Sequence, residues 1–458
     1  MPSRQDQLHS YQFNVQRTVA ALVTRESDPA RSPMRRLAGA AMASTLVAVI
    51  GLGAAALYGL VEGGGGTWRD AGVVIVEKES GARFVYREQR LHPVLNYASA
   101  LLIVGTQRPR TVLVSSRSIE GVPRGLPLGI RDAPDSLPPA ARLATAPWTV
   151  CSVSSAGPEL AVRSVLLVGG GGGGGRPLSR DALLLRDPDG QLHLLWQQRR
   201  FHIRDTDRVL AALATTRSRP VPVAAALLNS VPAGLDLAPL NPPGLGRHSS
   251  RVAGARIGDV LVVSNSSGGR QYAVVLRDGL AGITELQAGL LLTRTGQREP
   301  EQLSLGRFAT LPHVSDLVPV GPDAPPAVPP RLVATDPSTV CVRIGGDTGP
   351  GELWLDVELP ALTGAPEQSS APVNADHVLV EPGRGAVVES VASPGATGGA
   401  ISVVTDLGRR YAFAGPDVSG MLGYADVRPV RLPAGVVSLV PAGAPLDPDA
   451  ARRRVAPA

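Results

Sequence analysis

From Leu37 to Val61 the chain runs for 25 residues without a charged side chain, LAGAAMASTLVAVIGLGAAALYGLV. About 20 apolar residues suffice to carry a helix across the hydrocarbon layer of a bilayer, so this segment predicts one transmembrane helix over 37–61. A cleaved signal peptide has a shorter apolar region, about 7–15 residues close to the N-terminus. Here 36 residues precede the span, although Ala54-Ala55-Ala56 leaves a cleavage site open. Arg4, Arg17, Arg25, Arg31, Arg35 and Arg36 lie before the span, whereas Glu62, four glycines and a lone Arg69 follow it. The excess of positive charge on one flank holds that flank in the cytoplasm, which sends residues 62–458 to the outside.

Within the cytoplasmic tail, Leu8, Tyr11, Val15, Val19 and Leu22 recur at helical spacing, and Asp28-Pro29 ends the pattern. Two readings of this amphipathic helix stay open: an interfacial helix on lipid headgroups, and a docking element for a cytoplasmic partner.

Aromatics are 3% of residues while glycine numbers 52 and proline 42, so the exported part must build its core from Val, Leu and Ala and turn often. That composition predicts many short strands. Cys151 and Cys341 are the only cysteines, and both fall on the exported side, where disulfides persist. They occupy matching places in an internal repeat. Arg142-Leu143-Ala144-Thr145-Ala146-Pro147-Trp148-Thr149-Val150-Cys151 parallels Arg331 to Cys341 with one inserted residue, each copy ending in Thr-Val-Cys. Two equivalent strands stapled across a pseudo-twofold axis are expected; two buried free thiols are the competing reading.

A second repeat surrounds the first. Phe84, Tyr86, Leu95 and Tyr97 stand at offsets matched by Leu183, Leu185, Leu194 and Trp196, and by Tyr411, Phe413, Leu422 and Tyr424. Tyr272, Val274 and Ile283 follow the same rule, with Glu285 departing at the last position. Four small units, two per duplicated half, are expected around a central domain. The glycines at 63–66 and 169–175, Pro239 to Arg247 and Pro319 to Pro330 read as spacers.

Chemistry is sparse. The glycine run at 169–175 is followed by Arg176-Pro177, not by the Lys-Ser/Thr pair that a phosphate loop requires. His9, His92, His193, His202, His248, His313 and His377 show no metal-ligand spacing. Asp187 and Asp189 resemble a fragment of a calcium loop but suit a β-turn better. Lys78 is the only lysine, so the net charge of +6 is carried by arginine without the aromatic interleaving of a nucleic-acid platform. The expectation is no catalytic, cofactor or metal site, and no nucleic-acid partner.

Several stretches together resemble the EccB family, membrane components of actinobacterial type VII (ESX-like) secretion systems. They are Gln7 to Val23 with Asp28-Pro29, and Ser32-Pro33-Met34-Arg35-Arg36-Leu37 before the span. Leu91 to Ala100, Leu126-Pro127-Leu128-Gly129-Ile130, Ala133 to Pro138, the two Thr-Val-Cys strands and Pro382-Gly383-Arg384-Gly385-Ala386 complete the set. Arg131-Asp132 and the long glycine run depart from the family pattern.

The resemblance implies a structural and assembly subunit of a plasma-membrane complex beside EccC, EccD and EccE, self-association, and a propeller-like or elongated β body with a disulfide-bonded centre. ATPase activity has been attributed to some members, and a cell-wall-binding anchored protein is the remaining alternative. The layout expected is a tail over 1–36, the span over 37–61, a linker over 62–72, an extracytoplasmic domain over 73–440 and a disordered tail over 441–458. Within the domain, repeat units lie near 81–104, 181–212, 269–293 and 408–440, and the centre covers mainly 111–168 and 331–405.

Overall fold

A computed structural model of the protein describes residues 3–24, 33–62, 67–70, 72–154, 162–170, 172–215, 219–264, 268–334, 336–346, 349, 351–361, 374–393 and 395–455. Asp28-Pro29 and the glycines at 63–66 lie outside the described residues. The chain divides into two compact units, residues 1–93 with 110–125, and residues 94–109 with 126–458.

The first unit opens with α1 (Arg4–Thr24) and α2 (Pro33–Glu62). Tyr11 and Leu22 of the α1 apolar stripe are exposed, whereas Ala20 is buried. The α2 backbone is one continuous helix of 30 residues. Its described side chains cover 38–54, are exposed throughout and include Met42, Leu46, Val47, Ile50 and Leu52. Among the described residues no helix is long and apolar enough to cross a membrane, and the side chains at both ends of the uncharged 37–61 segment, Leu37 and 55–61, fall outside those described. The rest of this unit is a sheet of β1 (Val73–Glu77), β2 (Arg83–Arg87), β3 (Arg90–Pro93) and β4 (Arg110–Val114). One face of it closes over Trp68, Ile75, Phe84, Leu91, Val114 and Ile119.

The second unit begins with α3 (Tyr97–Val104) and continues through β5 (Trp148–Ser154), β6 (Val162–Leu167) and β7 (Gly173–Pro177). There follow β8 (Leu183–Arg186), β9 (Leu192–Trp196), β10 (Arg199–His202), α4 (Thr206–Ala212), β11 (Val221–Pro222) and α5 (Ala225–Ser230). The pattern repeats as β12 (Val260–Ser264), β13 (Arg270–Val275), β14 (Leu280–Ile283), α6 (Glu285–Thr295), β15 (Glu301–Leu303) and α7 (Leu305–Thr310). After β16 (Thr339–Ile344), β17 (Glu352–Glu358) and β18 (His377–Leu379), a last copy comprises β19 (Ala386–Val391), β20 (Ala400–Val404), β21 (Arg410–Ala412), α8 (Val418–Met421), β22 (Val430–Pro433) and α9 (Ala434–Val437). Short α10 (Pro448–Ala451) ends the chain.

Four sheets share one topology: three antiparallel strands in sequence, then a helix, then a fourth strand parallel to the first. Their orders are β3-β2-β1-β4, β10-β9-β8-β11, β14-β13-β12-β15 and β21-β20-β19-β22. A strand that returns parallel needs a crossover, and the helix between strands three and four supplies it. Its start is signalled locally: Asn96 caps α3 by accepting from Ser99 N, and Thr284 with Gln287 forms a capping box on α6. The matched offsets recur on different strands. Phe84 and Tyr86 lie on β2 and Tyr272 and Val274 on β13, the second strand in each case. Leu183 and Leu185 lie on β8, a first strand, and Tyr411 on β21, a third. Alternation with period two marks every strand, so it cannot say which strand of a unit it marks.

The fifth sheet has six strands in the order β18-β6-β5-β16-β17-β7. These sheets do not close into a propeller. The two Thr-Val-Cys hairpins merge into one continuous central sheet because β5 and β16 pair directly. One face packs on α5 through Trp148, Val150, Val340, Val342 and Leu227, and α9 joins the same cluster through Val436 against α5. The segment after Pro441 is ordered as far as Val455, contrary to the disorder expected from its composition. Leu446 and Ala451 are fully buried, α10 packs on α3, and Val455 N donates to Pro127 O. Pro319 to Pro330 is likewise no free spacer, since Asp323 O and Ala327 O accept from Leu235 N and Leu286 N.

Candidate functional site

The centre of symmetry is the Cys151–Cys341 disulfide. Its Cα atoms are 4.0 Å apart, the close approach of directly opposed antiparallel residues. Cys151 pairs with Cys341, Ser152 with Val340 and Val150 with Val342, so the register reads the same from either strand. The helices obey the same operation. α4 packs on α6 as α3 packs on α8, and α5 meets α9 beside the sheet. The edges break it, because β7 is antiparallel to β17 whereas β18 is parallel to β6.

The glycine run does not form a phosphate cradle. Gly173 to Gly175 belong to β7, and Arg176 faces Asp356 across the ladder at 3.6 Å. Asp356 Oδ1 also accepts from Ser338 N. Gly173 to Gly175 are therefore part of an edge strand, contrary to their reading as a spacer, and run in unbroken register beside Asp356, whose φ is +56°.

Asp187 to Gly190 forms the β8–β9 turn, with Gly190 N donating to Asp187 O and Gln191 N to Asp187 Oδ1. This leaves Asp187 Oδ2 for His193 Nε2, at 3.1 Å. His193 is buried and its Nδ1 has no partner among the described residues. Burial pushes its pKa below the ordinary histidine value, and the bond to Asp187 opposes that shift. The His202 ring lies 5.2 Å away and Asp236 3.8 Å beyond its Nδ1. Among the described residues no group of three His, Cys, Asp or Glu could hold a metal ion. Lys78 is exposed at the β1–β2 turn.

Two cavities flank the central sheet at its hairpin ends. One of about 450 Å³ is lined by Ser164, Arg186, Asp187, Ala224 and Asp376, and Asp376 Oδ2 accepts from both Ser164 N and Oγ. The other, of about 360 Å³, lies between Arg199, Asn229, Ile344, Gly351 and Arg431. Its two guanidinium groups are held by carboxylates, Arg199 by Asp323 and Arg431 by Glu389 at 3.3 Å.

Sequence reasoning missed one element. After each fourth strand the chain returns alongside the third: Arg124 bridges Leu91, Ala233 bridges Arg200, His313 bridges Leu280 and Ala442 bridges Arg410. In three copies a glycine then passes beneath a ring, Gly125 under His92, Gly234 under Phe201 and Gly443 under Tyr411. The signal was a recurrent apolar-Pro-x-Gly, as in Val122-Pro123-Arg124-Gly125 and Val231-Pro232-Ala233-Gly234.

A family model described as "Type VII secretion system ESX-1, transport TM domain B" matches residues 1–456. The chain belongs to the EccB family. The ESX-3 secretion system ATPase EccB3 of Mycolicibacterium smegmatis is 29% identical, covering 96% of this chain and 88% of its own length. ESX-5 secretion system ATPase EccB5 of Mycobacterium tuberculosis is 32% identical over 69% of this chain and 64% of its own. Among solved structures, a chain of an intact ESX-5 inner membrane complex superposes with a TM-score of 0.69 at 27% identity, covering all of this chain and 96% of that one. An EccB3 dimer from the ESX-3 core complex gives 0.65 at 28% identity, over 83% and 99%. This EccB chain is thus similar along its length to components of ESX inner membrane complexes.

Proposed function

We propose that this EccB chain is a structural subunit of a type VII secretion complex in the plasma membrane, joining cytoplasmic partners to an extracytoplasmic oligomer. The observation that carries the reading is the match of the whole chain to one chain of an assembled ESX-5 inner membrane complex. The layout proposed is a cytoplasmic tail over 1–36, α2 as the anchor, and the β body outside with the C-terminus. The apolar side chains of α2 support it: a helix that exposes Met42, Leu46, Val47, Ile50 and Leu52 on all sides suits lipid better than water. Alkaline phosphatase fused after Ala458 should be active and fused after Arg36 inactive; the reverse pattern refutes the topology. The exposed stripe of α1 is assigned to docking on EccC, EccD or EccE type subunits. Deleting residues 2–36 should abolish co-purification with them, and full co-purification with undiminished secretion would refute the docking role.

Relatives carry ATPase in their names. In this chain Gly173 to Gly175 are committed to β7 and Arg176 pairs with Asp356, so we assign no nucleotide site there. Phosphate release by the purified protein that falls in an Arg176→Ala variant would overturn that assignment.

A further inference from the structure

The bridges of the returning chain give the four small units a common register, because each marks one residue of the third strand: Leu91, Arg200, Leu280 or Arg410. Two residues further on, the third strands place Pro93, His202, Gly282 and Ala412. Across the ladder these pair with Phe84, His193, Ala273 and Ser402 of the second strands. The four pairs are equivalent, and only the second unit has ionisable side chains there.

His193 also pairs with Leu185, which pairs in turn with Val221, so all four side chains of this row share one face of their sheet. Leu185 and Val221 belong to the apolar cluster that joins this unit to α5 and the central sheet. His193 is buried beside that junction, and the half-buried His202 ring lies 5.2 Å from it. His193 Nε2 bonds Asp187 Oδ2, whereas its Nδ1 has no partner among the described residues. A proton taken up by His193 therefore makes Nδ1 a donor with no acceptor in a buried place.

The charged groups around the pair supply little relief. Asp187 faces His193 from the β8–β9 turn, but Arg200 shares the His202 side of β10 and adds positive charge. Asp236 lies 3.8 Å from His202 Nδ1 and is already ion-paired with Arg204. Arg186 and Asp376 line the cavity that Asp187 borders, and α5 contributes no charge. With a proton on each ring, two like charges oppose one another across β9 and β10 at a partly desolvated site.

We propose that His193 and His202 form an acid-operated latch on the second unit: the uncharged pair lets β10 close on β9, and protonation of both rings parts them. The other three units lack the pair and stay closed, so acid loosens one unit of the four at its junction with the central sheet.

The equivalent units provide the control. Ile203 N donates to Leu192 O and Phe413 N to Ile401 O, both at 2.9 Å, so peptides spanning 192–203 and 401–413 report the same ladder with and without the histidines. Hydrogen exchange of full-length protein in detergent is followed by mass spectrometry at pH 7.5 and 5.0, with exchange times corrected for the intrinsic pH dependence. In wild type, protection of 192–203 should fall about tenfold on acidification while that of 401–413 changes less than about twofold. His202→Gln keeps His193 and Asp187 and removes the second charge, so it should hold the fall in 192–203 below about twofold. Equal changes in the two wild-type peptides overturn the proposal, and so does a fall in 192–203 that persists undiminished in His202→Gln.

Discussion

Replacing Cys151 and Cys341 together by alanine should lower the stability of the central body by about 5 kcal/mol. The disulfide closes a sequence separation of 190 residues. In the chain-entropy model that removes about 18 cal/mol/K from the unfolded ensemble, or ~5 kcal/mol near room temperature. Unfolding entropy of about 2.1 cal/mol/K per residue over roughly 380 residues gives about 0.8 kcal/mol/K, so Tm should fall by about 6–7 °C. Alanine is preferred to serine because both positions are fully buried among Val165, Leu167 and Val357, where a hydroxyl would need a partner. The buried Trp148 on β5 and half-buried Trp354 on β17, stacked under Arg343, report the melting of this sheet by fluorescence. A decrease in Tm below about 2 °C would refute the reasoning, since the unfolded chain would then gain little freedom from losing the bond.

Gly234→Ala places a methyl 2.3 Å from Phe201 Cε1 and should cost ~1–3 kcal/mol, whereas Gly306→Ala in α7 meets nothing and should be neutral or stabilising by up to ~1 kcal/mol; urea midpoints compare them. Asn96→Ala removes the α3 cap and the Nδ2 bond to Ile130 O from a buried site, so ~1–3 kcal/mol should be lost in the same assay. Burial holds the His193 imidazole below its ordinary pKa despite Asp187, so the unfolded chain takes up the proton first. The stability this site contributes is therefore full above about pH 6.5 and lost as pH falls through the native value. His193→Gln should flatten that acid-side decline in urea midpoints, and an unchanged decline would assign it to other groups.

How much of this was legible in the chain depends on the range of the interaction that writes it. The uncharged run at 37–61, the alternation on each strand and the twin Thr-Val-Cys segments are local, and they determined a long apolar helix, a β-rich body and a duplication with cysteines at equivalent places. The number of small units could be counted for the same reason. The strand on which each match falls could not, since Leu183, Tyr272 and Tyr411 carry one pattern on a first, a second and a third strand. Only tertiary structure decided what the featureless segments do. A glycine homopolymer carries no side-chain signal, yet Gly173 to Gly175 lie in an edge strand on β17, and Gly169 and Gly172 lie against Ala144 and Val357, neighbours distant in sequence. The proline-rich tail after Pro441 is polar enough to read as disordered. It is ordered because α3, more than 300 residues earlier, presents the apolar surface that α10 covers.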